Sequence, residues 1–297
     1  MNRSMTTSRP VSGRRVLIAV LAVAAPLGVA PVGRGTQPTP ATTHGAGGLR
    51  PDLRQERPQD LSVRRVRGRE LLGFRSSVQN VGDGPLIISG SRPNRATRDM
   101  LASQLIVGGD GSLRRVAGIG FLRYVPSPDH SHWHFLPFER YELRSESTGA
   151  RIVRDRKSGF CLGDRYRIEP RLANAIPAPV FASRCGLGRT GLRQIREGIS
   201  VGWADDYAAY LDSQHIDVTD VPAGRYLLVH TVNPSGRIVE RDRANNQASV
   251  RIALTRAGGR VRVKVLPPLH PAATLMGELT GRIPGPSSVI RSASGAE

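Results

Sequence analysis

Three histidines fall within five residues, His130, His132 and His134, in the run Asp129-His130-Ser131-His132-Trp133-His134. Side chains alternate faces along an extended strand, so the three imidazoles share one side while Ser131 and Trp133 take the other. The outer Cα atoms of such a strand lie about 13 Å apart at roughly 3.3 Å per residue, so the strand must curl or bulge for all three rings to reach one ion. Three neutral imidazoles with an open coordination position suit copper or zinc. The flanking Trp133, Phe135 and Phe138 set the cluster in a packed strand rather than a loose surface tract. From the ligands alone, zinc hydrolysis and copper redox chemistry both stay open.

Two other side chains have chemistry to offer. Arginine supplies nearly all of the basic residues, and lysine occurs only as Lys157 and Lys264. Lysine can lose its proton and act as a nucleophile, which arginine cannot. Lys157 stands four residues before Cys161, in Lys157-Ser158-Gly159-Phe160-Cys161-Leu162. Tyr207 closes the run Gly202-Trp203-Ala204-Asp205-Asp206-Tyr207, beside two carboxylates. A tyrosine near copper can be oxidised, although most tyrosines in such loops only pack.

The elements that must position these groups read as strands. The 297 residues carry 39% hydrophobic residues, with 33 Gly and 22 Pro, a balance that favours short strands and many turns. Strands are expected over 74–81, 86–89, 104–107, 113–116, 135–144, 151–154, 214–218, 225–232, 249–255 and 260–266. Gly108-Gly109-Asp110-Gly111 is a hairpin turn between two of them. No segment longer than about ten residues keeps a helical period. Residues 165–213 lack alternation and form a long loop-rich insertion of the functional kind. The expected fold class is all-β, a β-sandwich-like catalytic domain over 49–266 with one elaborated side.

The flanks differ in character. Arg14 and Arg15 precede an apolar run broken by Pro26, which reads as a signal peptide over 1–30 and a secreted, extracellular protein. The run is too short for a permanent membrane span. Residues 31–48 read as a flexible linker and 267–297 as a disordered tail. In an exported chain the two cysteines, Cys161 and Cys185, are expected to pair, closing a loop of about 25 residues worth about 3 kcal/mol. The formal charge is +19. No basic run is interleaved with aromatics, so no nucleic acid partner is expected. A chain this basic repels a cationic amine unless carboxylates gather locally at the site.

Taken in order, these segments resemble the lysyl oxidase family from Pro51 to about Leu254. The resemblance rests on Pro51-Asp52-Leu53, on Asn80-Val81-Gly82-Asp83-Gly84-Pro85, on the histidine run followed by Tyr141-Glu142-Leu143, and on Lys157 through Asp164. It continues through Gly198 to Tyr207, Asp212 to Val221, Val232-Asn233-Pro234 and Asp242-Arg243-Ala244-Asn245-Asn246. It implies copper on His130, His132 and His134, and a lysine tyrosylquinone cofactor joining Lys157 to Tyr207. The implied reaction is oxidative deamination of a primary amine, peptidyl lysine or a small amine, to an aldehyde, with O2 consumed and hydrogen peroxide and ammonia released. Asp205, Asp206 and Asp212 are candidates for the base by proximity in sequence. The resemblance also implies a calcium site from Asp52, the Leu53 carbonyl, Glu240, Asp242, Asn245 and Asn246, hard oxygen donors that suit this ion; Asp and Asn also cap turns without any ion.

The sequence departs from the animal pattern in places. One cysteine pair stands where those members have several, Arg167 stands where the partner of Cys161 falls, Trp133 replaces a tyrosine and His215 a tryptophan. An exported, non-catalytic copper-binding β-sandwich is the alternative reading, and a basic protein that holds anionic polymer or envelope lipid is a third.

Overall fold

The computed structural model describes residues 48–127, 131–155, 159–168, 171–211 and 213–268. The expected signal peptide, most of the linker, nearly all of the C-terminal tail, His130, Lys157 and Asp212 lie outside the described residues. Among the described residues there are seventeen β-strands and no helix, which agrees with the all-β expectation. No helix among them is long and apolar enough to cross a membrane.

Strands are numbered in chain order: β1 Gly48–Leu49, β2 Leu53–Gln55, β3 Gln59–Val66, β4 Arg69–Asn80, β5 Leu86–Ser91, β6 Met100–Gly108, β7 Leu113–Val125, β8 His132–Leu136 and β9 Glu139–Ser145. They continue with β10 Arg151–Arg154, β11 Tyr166–Arg167, β12 Gln194–Ile199, β13 Trp203–Tyr207, β14 His215–Asp217, β15 Gly224–Val232, β16 Gln247–Ala257 and β17 Arg260–Val265. Three antiparallel sheets result. The first runs β12-β5-β6-β7-β8 with β1 beside β6, and the second runs β10-β9-β15-β16-β17. The third centres on β4, which pairs with β2, β3, β13 and β14.

Local sequence explains the division of labour. β5 and β16 alternate buried and partly exposed residues, as strands with one face on a core should. β4 is different: from Glu70 to Asn80 nearly every residue is buried. At Leu72 it pairs with β14 and β3, and at Val78 with β13 and β2. A strand with neighbours on both edges and packing on both faces reads as a continuous apolar run (Leu71, Leu72, Phe74, Val78) rather than an alternating one. Between the sheets lies one core whose largest buried side chains include Trp133, Tyr141, Phe74, Phe135, Phe138 and Phe160.

Two expectations need correction. The stretch 135–144 is two strands, because Pro137 lacks the N–H that a ladder needs. The insertion 165–213 is not loop throughout: β12 pairs along the whole of β5, and β13 pairs with residues 76–79 of β4. Its irregular part is anchored by Asp164, whose two oxygens accept from the backbone N–H groups of Val180, Phe181 and Ser200 and from the Ser200 hydroxyl.

Candidate active site

β8 carries two of the three histidines. It pairs with β7, His132 opposite Val125 and His134 opposite Arg123. The alternation expected from sequence holds here, since the His132 and His134 rings lie side by side with centroids 4.7 Å apart. Trp133 points the other way and fixes the strand's orientation. It is fully buried, its indole N–H donates to the Arg189 carbonyl at 3.1 Å, and the Arg92 guanidinium lies 4.8 Å from its ring centroid. Two adjacent imidazoles, with His134 buried, are donors that suit copper or zinc.

The segment after Lys157 runs against this strand. Phe160 exchanges two backbone hydrogen bonds with Phe135, at 2.8 and 3.1 Å. A Cβ on Gly159 would stand 2.8 Å from Leu136 Cγ and 3.1 Å from His134 Cβ, so glycine is what lets the backbone pass against the histidine. Cys161 is bonded to Cys185, as expected from the cysteine count, with Cα atoms 5.7 Å apart. Cys185 also accepts from the Trp133 backbone N–H through its carbonyl, at 2.9 Å. The disulfide therefore clamps the Lys157 segment and the histidine strand to the same insertion.

Tyr207 meets this segment from the other side. Its ring packs edge-on against Phe160 with centroids 4.7 Å apart. Its hydroxyl lies 2.8 Å from the Cys161 carbonyl and 2.6 Å from Asp205 Oδ2. A phenol has one proton, so it donates to one of these acceptors at a time. Asp205 and Tyr207 are two apart on β13 and share its inner face, where Asp205 is fully buried. Burial pushes the Asp205 carboxyl up to about 7 against the pull of Arg165, whose Nε is 3.3 Å from Oδ1. Burial, and then the charge of Asp205, holds the Tyr207 phenol well above its usual value.

The structure separates the three carboxylates considered as bases. Asp205 contacts Tyr207, Asp206 faces outward and pairs with Arg75 at 3.1 Å, and Asp212 lies outside the described residues. It also adds acids that the sequence reading passed over. Glu197 is fully buried and accepts from the Leu162 N–H at 2.8 Å; burial, with the Asp205 charge adding to it, pushes its carboxyl well above the usual range. Glu139, also buried, accepts from Ser76 Oγ at 2.7 Å and Tyr141 Oη at 2.6 Å. Glu139 shares the strand parity of the apolar Tyr141 and Leu143, and that placement was its one signal. A cavity of about 450 Å³, lined by Asp155, His215, Asp217 and Asp220 with Arg69 and Arg154, shares no lining residue with this site; its Asp155 N–H donates to the Tyr141 carbonyl at 3.0 Å.

Of the residues expected to hold calcium, Asp52, Leu53, Glu240, Asn245 and Asn246 come together, but both buried carboxylates are already committed. Asp52 Oδ1 accepts from Asn245 Nδ2 at 2.7 Å, and Oδ2 accepts from Arg241 Nη2 at 2.6 Å and Nε at 3.0 Å. Glu240 Oε2 accepts from the Leu53 N–H, and Oε1 from Asn233 and Asn246. Asp242 is exposed and caps its own turn through the Ala244 N–H. The group does not fit a calcium ion in this arrangement.

Comparison with known proteins shows what part of this assembly of strands resembles. Residues 125–264 match the family model described as lysyl oxidase. Across that segment the chain is similar to the lysyl oxidase family. It is 34% identical over 130 residues to a protein-lysine 6-oxidase of Rattus norvegicus, covering 42% of this chain and 27% of that one. It is 33% identical to a protein-lysine 6-oxidase of Sus scrofa, covering 42% and 45%, and 32% identical to lysyl oxidase homolog 1 of Homo sapiens, covering 42% and 20%. The chain thus spans less than half the length of these relatives. The lysyl oxidase segment contains β8, Gly159, Cys161 and Tyr207, the parts whose contacts form the site.

Proposed function

We propose that this chain is a secreted, copper-dependent amine oxidase of the lysyl oxidase family that converts primary amines to aldehydes with O2, using a lysine tyrosylquinone made from Lys157 and Tyr207. The observation that carries the reading is the path of residues 159–161, which touches His134 at Gly159 and Tyr207 at Phe160 and Cys161. His132 and His134, with His130, would hold the copper. The bound copper and quinone supply oxidation of the tyrosine ring and an acceptor for the two electrons taken from the amine carbon.

The protein's own side chains have defined tasks around that chemistry. Tyr207 must give up its phenolic proton, and its burial makes this unfavourable without a base in contact. Asp205 is that base. Its carboxyl, raised to about 7, accepts from the phenol when charged and donates to the phenolic oxygen when neutral. Phe160 covers the Tyr207 ring and keeps water from it.

Intact mass and visible absorption of the copper-loaded protein test the reading. The expected result is the mass loss of a Lys157–Tyr207 cross-link with a quinone band, both abolished in Tyr207→Phe. A copper-replete protein with neither signal is not a quinone amine oxidase.

A further inference from the structure

The second metal site implied by the family resemblance is where this chain goes its own way. The junction of β2, the turn at 81–84 and the loop 240–246 contains a side chain that is itself a cation. Arg241 donates from Nε and Nη2 to Asp52 Oδ2, from Nη1 to Asp83 Oδ1 at 2.9 Å, and from Nη2 to the Val81 carbonyl at 3.1 Å. Its backbone N–H donates to the Pro51 carbonyl at 2.8 Å. One guanidinium thus ties together three chain segments, including the two that carry the ligands implied for calcium.

We infer that the Arg241 guanidinium is a built-in replacement for calcium at this junction, so that the fold closes around Asp52 without a metal ion.

Coordination chemistry supports this. Calcium takes 6–8 oxygen ligands at about 2.3–2.6 Å, and carboxylates are its main anchors. Here both oxygens of Asp52 and both of Glu240 accept hydrogen bonds from protein donors. Asn245 Oδ1 and Asn246 Oδ1 are buried acceptors with no hydrogen-bond partner among the described residues. Two neutral amide oxygens are too few and too weak to hold the ion. Charge points the same way. Asp52 is almost fully buried, so its negative charge needs a counter-ion, and the planar fork of arginine supplies one at two nitrogens. A divalent ion placed there would face the guanidinium as a like charge.

The test needs no turnover and is independent of the quinone reading. The full chain is stripped with chelator, dialysed against calcium chloride and then against calcium-free buffer, and its calcium content and melting temperature are measured. The expected result is no retained calcium and no shift in melting temperature with calcium or chelator. Stoichiometric retained calcium, or a melting temperature raised by calcium, overturns the inference, and this arm decides without any variant. In Arg241→Ser the expected result is a melting temperature lower by several degrees and recovered in part by calcium chloride. Arg241→Lys keeps a charge without the fork and is expected to melt between the two. An Arg241→Ser protein that melts like the parent in calcium-free buffer also overturns the inference.

Discussion

Tyr207 and Asp205 form a pair in which each group sets the protonation of the other. Asp205→Asn keeps the shape but removes the acceptor for the phenolic proton. Cofactor formation, followed by the growth of the quinone band after copper addition, is expected to slow about a hundredfold or more, the usual range for a lost general base. Its dependence on pH near 7 should flatten, because Asp205 titrates there in the parent. An unchanged rate and profile would assign the proton to another group. His134→Ala is expected to lose most bound copper by metal analysis and to remain folded, since Trp133, on the opposite face, holds the strand. At this scale the sequence was readable wherever alternation applied: it put His132 and His134 on one face and Trp133 on the other. Glu139 and Glu197 were not readable. A single charged residue in a strand reads as solvent-facing, and only the sheet packed over it makes it a buried acid.

The disulfide belongs to the scale of elements. Cys161 and Cys185 are separated by 24 residues, and a loop of that length is worth about 3 kcal/mol of unfolded-chain entropy. Cys185→Ser with Cys161→Ser is expected to lower stability by about that amount in denaturant titration. It should also slow quinone formation, because Cys161 supplies the carbonyl that holds the Tyr207 hydroxyl. Loss of stability with unaltered cofactor formation would make the bridge purely structural. Elements that pair with their sequence neighbours were legible, such as the β6–β7 hairpin and β15 with β16. β12 and β13 were not. Gln194-Ile195-Arg196-Glu197-Gly198-Ile199 has no alternation of its own, and it is a strand because β5, more than a hundred positions earlier, offers it a complete edge. β13, with Asp205 and Asp206 adjacent, reads as polar although β4 buries most of it.

The whole molecule carries an unusual set of buried acids. Asp155, Asp205 and Glu240 are raised to about 7 by burial, and Glu197 is raised for the same reason. An acid raised on folding binds more protons in the folded chain than in the unfolded one. Its contribution is therefore full below the unfolded value near 4 and is lost as pH rises through the folded value near 7. His230, buried and held neutral, opposes this, since its contribution falls away as pH drops below about 6.5. Asp99, Asp217 and Glu142 are lowered by their arginine partners or local hydrogen bonds, despite the opposing pull of burial, and lose their contribution below about pH 4. The raised acids outnumber the histidine, so the metal-free protein is expected to be most stable near about pH 5 and to melt lower by about pH 8. A melting temperature that climbs over that interval would mean that the buried acids are ionised and paired.

Asp52 and Arg241 stand 189 positions apart, and Arg69 and Asp217 stand 148 apart. Joining such distant positions costs loop-closure entropy before any contact rewards it, which puts this chain among the slow folders. A chain that emerges from its N-terminus first presents the histidine run long before Arg241 exists to close the fold around β2. The order of synthesis therefore lets the imidazoles meet metal before the junction at Asp52 is closed.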